Sequence, residues 1–76
     1  MIFVEVRDIL VDVMGIAESD VTENAYLIDD LGADSLDAVE LSIALQDKFD
    51  IEIEDDDILQ MHSVGDVVNY IERRKK

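Results

Sequence analysis

Residues 31–36 read Leu-Gly-Ala-Asp-Ser-Leu and set one hydroxyl, Ser35, directly behind an acid able to cap a helix. Other nucleophiles are scarce. The 76-residue chain has no cysteine and one histidine, so thiol chemistry and thiolate metal sites are excluded from the start. A hydrolytic serine needs a base, and the one imidazole, His62, is a lone polar residue ahead of the last helical segment, where a surface role is the ordinary reading. A nucleophile elbow of the Gly-x-Ser-x-Gly kind is missing too, because Gly32 stands three residues before Ser35 and no glycine follows closely. The chain is therefore read as non-catalytic, and by itself Ser35 is an ordinary residue of a helix's first turn. In the first turn of a helix, unpaired backbone N–H groups and the positive dipole end favour an anion on such a hydroxyl. Asp34 and Asp37 are then caps, not an acid and a base.

The acidic run Asp50–Asp57 invites a calcium-loop reading, with Asp50, Glu52 and Glu54 at the first, third and fifth positions. It fails, since Asp55 takes the place of the required glycine and Met61 that of the bidentate glutamate. No dedicated metal site is expected, only loose divalent counter-ions at the acidic clusters. Twenty acids against six bases give a net charge of −14. Residues 15–34 and residues 50–57 each hold six acids and no base, whereas the last nineteen residues carry a basic excess. The negative field is thus centred on Ser35. It repels nucleic acid and calls for partners with basic patches.

What must position Ser35 is a set of helices. Ile2, Val6, Ile9, Val13 and Ile16 recur at three- and four-residue spacing and predict a helix over residues 2–14, closed by Gly15. Residues 16–34 lack periodicity but contain Val21, Leu27, Ile28 and Leu31, which suits a long loop packed by its own side chains, with room for one helical turn. A regular helix follows over 36–49, then an acidic turn, a short helix around 56–60, and a last helix announced by Ser63 and Asp66. In that last helix Val64, Val67, Val68 and Ile71 form a core stripe, and Arg73, Arg74, Lys75 and Lys76 suit its negative end. The expected fold is all-α: a small bundle of three longer helices plus one short one, with a long loop between the first and second. Residues 1–76 make a single domain with a small core. The longest uninterrupted apolar stretch is three or four residues, far from the ~20 of a membrane span, and there is no basic, apolar leader.

The run Leu31 to Leu41, with Thr22–Ala25 in the loop, Phe49–Ile53 after the second helix and Ser63–Ile71 at the end, closely resembles the acyl carrier proteins over essentially the whole chain. The resemblance implies that Ser35 is esterified by 4′-phosphopantetheine, taken from coenzyme A by a phosphopantetheinyl transferase. It also implies that the arm's thiol carries acyl intermediates as thioesters to fatty-acid synthesis enzymes, with the protein a cytoplasmic monomer. The Leu-Gly-Ala-Asp-Ser-Leu wording is that of the fatty-acid type. Many such carriers have proline where Glu54 stands, an aliphatic residue at Ser42 and phenylalanine at Leu27. The alternatives are a carrier for a polyketide or other secondary pathway, and an acidic interaction module without a prosthetic group.

Two faces follow for the helix carrying Ser35. At about 100° per residue, Ala38, Leu41, Leu45 and Phe49 share an arc of about 80° and form the core stripe. Leu36, Val39 and Ile43 fall nearly opposite, beside Glu40 and Asp47, whose charges resist burial. With Asp34 and Asp37 they are the expected partner-binding strip, the helix that enzymes recognise in the resembled family. Leu45, Phe49, Ile53 and Leu59 are the expected acyl pocket.

Overall fold

Helix-forming stretches separated by capped turns give four helices and no named strand among the residues described. The computed structural model describes residues 1–74, with Asp55 and Leu59 described through their backbone alone. The helices are α1 (Ile2–Met14), α2 (Ser35–Phe49), α3 (Asp55–Gln60) and α4 (Val64–Arg74), with one 3₁₀ turn at Glu18–Asp20 in the first connection. The expected all-α bundle and its long first loop are what the chain adopts. Lys75 and Lys76, expected at the negative end of α4, lie outside the described residues; Arg73 and Arg74 do occupy its last turn.

α1 packs against both α2 and α4, and α3 packs against α2. That placement accounts for the stripe on α1. Val6 is fully buried and Ile2, Ile9 and Ile16 pack, partly buried, against the core, while Leu10, outside the expected series, is the second fully buried residue. A helix wedged between two others buries an arc wide enough to include Phe3, Val11 and Met14, and the arc is centred on the Val6–Leu10 pair, one turn apart. Val13 falls outside it. α1 stops at Gly15, whose left-handed φ of 68° lets its N–H return to the Val11 carbonyl at 2.9 Å.

The long loop is tied to the start of α4. Leu27 N–H donates to the His62 carbonyl at 2.8 Å, Val64 N–H to the Ala25 carbonyl at 3.0 Å and Gly65 N–H to the Glu23 carbonyl at 2.9 Å. Val21, Ala25, Leu27 and Ala33 are buried under it. The loop is thus packed by its own apolar side chains, and a Cβ on Gly65 would come within 3.1 Å of the Glu23 carbonyl oxygen, so glycine permits this close approach. α4 opens on the expected cap: Asp66 N–H donates to Ser63 Oγ at 3.2 Å, and Ser63 N–H to Asp66 Oδ2 at 3.1 Å.

α3 has only six residues and is too short to stand alone. The Tyr70 hydroxyl of α4 donates to Asp57 Oδ2 at 2.7 Å, the Arg74 guanidinium lies 3.4 Å from the same oxygen, and Arg74 also covers the Tyr70 ring at 4.9 Å. Burial, and then the hydrogen bond to Asp57, hold the Tyr70 phenol above its ordinary value of 10.0. The protonated phenol is the donor. Its contribution is therefore complete below the unfolded-state pKa and is lost as pH rises through the higher folded-state value. Tyr70→Phe is expected to cost about 1 kcal/mol in urea unfolding at about pH 8, with the deficit shrinking as pH rises above the ordinary phenol value of 10.0. A deficit unchanged across that window would mean that the hydroxyl does not act through this bond.

Candidate functional site

Ser35 is held in place from both sides. Behind it, residues Tyr26–Leu31 make a tight turn in which Gly32 N–H donates to the Ile28 carbonyl at 3.1 Å and Ala33 N–H to the Leu27 carbonyl at 2.8 Å. The Gly32–Ile28 bond is the 5→1 bond of an αL turn, enclosed by the Ala33–Leu27 bond, and it needs a left-handed residue, which is Gly32 at φ 75°. A Cβ there would meet nothing within 4 Å, so the backbone conformation, not crowding, requires glycine. Gly32→Ala is accordingly expected to cost about 1 to 2 kcal/mol in chemical denaturation, and a neutral result would mean that the turn relaxes without loss. Ala33 is buried and anchors the turn in the core.

Ahead of it, the capping box of α2 is complete. Asp37 N–H donates to Asp34 Oδ1 at 2.9 Å and Asp34 N–H to Asp37 Oδ2 at 3.3 Å. Both aspartates are thus engaged as caps. Ser35 is the first residue of the helix, one position earlier than the periodicity indicated, and it is exposed. The backbone N–H groups of Ser35 and Leu36 have no protein acceptor among the described residues. A hydroxyl open to solvent beside two free N–H donors at a helix N-terminus fits a phosphate ester. His62 is exposed, and among the described residues no hydrogen bond joins its side chain to Ser35.

The expected partner strip comes together along α2. Leu36, Val39 and Ile43 are 67%, 53% and 62% exposed, while Leu41, Leu45 and Phe49 on the other side are buried. Asp34, Glu40 and Asp47 are exposed and Asp37 is half-buried. None of these four carboxylates is ion-paired among the described residues, so their charge is free to act outward.

Three of the four residues expected to line an acyl pocket are placed away from the openings at Ser35. Leu45, Phe49 and Ile53 are sealed in the core, and the Leu59 side chain lies outside the described residues. Two grooves instead open beside Ser35. One, of about 420 Å³, runs between the loop and α3, walled by Leu27, Ala33, Leu41, Ile58 and Met61 and ending at His62. The other, of about 450 Å³, follows α2 past Val39, Ser42, Ile43 and Gln46. Ser35, Ala38 and Ile58 border both. Sequence reasoning passed over Ile58 and Met61 because they come near Ser35 through the packing of α3 on α2 and the loop–α4 pairing at Tyr26 and Ser63, neither of which shows as spacing along the chain. No group of three or more histidine, aspartate and glutamate side chains is placed to hold a metal ion among the described residues, and no helix among them is long and apolar enough to cross a membrane.

A family model described as the phosphopantetheine attachment site matches residues 4–71. The chain is 52% identical over 71 residues to the acyl carrier protein of Clostridium acetobutylicum, covering 93% of this chain and 92% of that one. It is 47% identical over 73 residues to the acyl carrier protein of Thermotoga maritima, covering 96% of this chain and 90% of the relative. Identity to the Campylobacter fetus acyl carrier protein is 47% over 75 residues, covering 99% and 97%.

Proposed function

We propose, because this chain belongs to the acyl carrier protein family, that its Ser35 holds the 4′-phosphopantetheine arm and that it delivers acyl thioesters to the enzymes of fatty-acid synthesis. The observation that carries this reading is the exposed Ser35 hydroxyl at the N-terminus of α2, flanked by free N–H groups and bordered by two largely apolar grooves. A phosphopantetheinyl transferase would join the Ser35 oxygen to the phosphopantetheinyl phosphorus of coenzyme A, releasing adenosine 3′,5′-bisphosphate and the hydroxyl proton. When bound, the arm supplies a terminal thiol for thioester formation, and with no cysteine in the chain no side-chain thiol competes with it. The rest of the work falls to the protein. The first turn of α2 stabilises the ester's negative charge, the rigid Gly32 turn fixes where the arm begins, and the grooves shelter apolar cargo from water. Tethering keeps that cargo at high effective concentration for successive enzymes.

Leu36, Val39 and Ile43 supply contact area for those enzymes, while Asp34, Asp37, Glu40 and Asp47 steer their basic patches. Leu45, Phe49, Ile53 and Leu59 serve as the deeper wall that an acyl chain reaches if the core parts. The unit is the whole chain as one domain, acting in the cytoplasm as a monomer, since a net charge of −14 opposes self-association. Intact mass spectrometry after incubation with coenzyme A and a phosphopantetheinyl transferase tests the reading. One phosphopantetheine increment is expected; no increment would leave an acidic interaction module without a prosthetic group.

A further inference from the structure

Within the groove along α2, the apolar lining of Ala38, Val39, Ile43 and Ile58 is interrupted by two polar side chains, Ser42 and Gln46. Ser42 is 6% exposed and is the one buried polar residue among those described. A hydroxyl so placed among apolar side chains carries a cost unless it is bonded. Gln46 Nε2 donates to Ser42 Oγ at 3.1 Å and to the Ser42 carbonyl at 3.2 Å. A carbonyl accepts but cannot donate, which fixes the amide with its nitrogen inward. Two capacities remain unused among the described residues: the Ser42 O–H as donor and Gln46 Oε1 as acceptor. A donor and an acceptor side by side in an apolar groove match a group that both accepts and donates. Ser42 lies two helical turns beyond Ser35, about 10 Å along the axis, within reach of whatever is tethered there.

We infer that Ser42 and Gln46 form a polar subsite that recognises a hydroxyl on the acyl cargo, so that the carrier distinguishes β-hydroxyacyl from saturated acyl chains. The inference rests on the carrier function proposed above. A secondary amide of the arm itself offers the same paired chemistry, and the experiment separates the two sources. Isotope-labelled protein is prepared in apo, holo, hexanoyl and β-hydroxyhexanoyl forms, each confirmed by intact mass, and the Gln46 side-chain NH₂ resonances are followed by NMR. A failure to load would be seen in the mass and would count against the carrier reading itself. With loading complete, the expected result is a Gln46 shift in the β-hydroxyhexanoyl form beyond that of the hexanoyl form, lost in Ser42→Ala. A full shift already present in the holo form would assign the subsite to the arm's amide and overturn recognition of the cargo. Equal shifts in the hexanoyl and β-hydroxyhexanoyl forms, or no shift in any form, would overturn the subsite, and a difference surviving in Ser42→Ala would overturn the role of Ser42.

Discussion

Ser35→Ala abolishes the mass gain on incubation with coenzyme A and a transferase, while the stability of the protein stays within about 0.5 kcal/mol of the unmodified chain. The two halves of this expectation come from different features. Loss of loading is complete because the chain offers no second serine or threonine hydroxyl at the start of an α-helix with free N–H groups beside it: Ser63 is spent as the cap of α4, Ser42 is buried in the groove along α2, Ser19 sits in a three-residue 3₁₀ turn between two acids, and Thr22 lies in the loop. Stability is preserved because Ser35 is exposed and its side chain makes no hydrogen bond among the described residues, while the cap that starts α2 belongs to Asp34. Alanine is also the best intrinsic helix former, so the substitution adds no propensity penalty. Intact mass and urea unfolding on the same preparation read both. Continued loading of the variant would move the attachment site elsewhere. A loss of several kcal/mol would show that the serine is a structural residue and that the free N–H groups beside it are incidental.

Local signals carried most of what could be read in advance. Asp34 with Asp37 and Ser63 with Asp66 mark the starts of α2 and α4 because a capping box is a contact between residues three apart, visible as spacing. The two faces of α2 were legible for the same reason, since a helix fixes the angle between its own side chains. What depends on neighbours was less so. On α1 the expected Val6 is joined in full burial by Leu10, because α1 lies between two partners and periodicity reports a face, not how many helices cover it. The grooves at Ser35 are a further step removed. They depend on α3 packing against α2 and, for the groove at the loop, on the pairing of Leu27 N–H with the His62 carbonyl, and no spacing along the chain reports either. The Ser42–Gln46 pair stands at the ordinary four-residue spacing and was in principle readable, but nothing in the sequence said that this turn of α2 would border an opening.

The opposed faces of α2 yield the second large effect. Leu45→Ala is expected to cost about 2 to 5 kcal/mol, a large share of what a domain of this size can have. Leu45 is 0% exposed, and α2 meets α1 across this face, so truncation leaves a cavity that two helices must close around. Val39→Ala and Glu40→Lys should each cost under about 1 kcal/mol, as half-exposed and exposed positions. Both should nonetheless slow loading by the transferase, for different reasons. Val39 contributes apolar contact area next to Ser35 and borders the groove along α2, so its loss should weaken docking at any ionic strength. Glu40 acts through its field, and reversal of its charge should raise the apparent KM at low salt, with the defect fading as salt screens charges beyond about 10 Å. Loading kinetics measured across a salt series, beside urea unfolding of the same three variants, separates these contributions. If Val39→Ala unfolds the protein as badly as Leu45→Ala, both faces of α2 are core and partner enzymes must dock elsewhere. If Glu40→Lys loads normally at low salt, the acidic strip serves solubility, and recognition rests on the apolar residues alone.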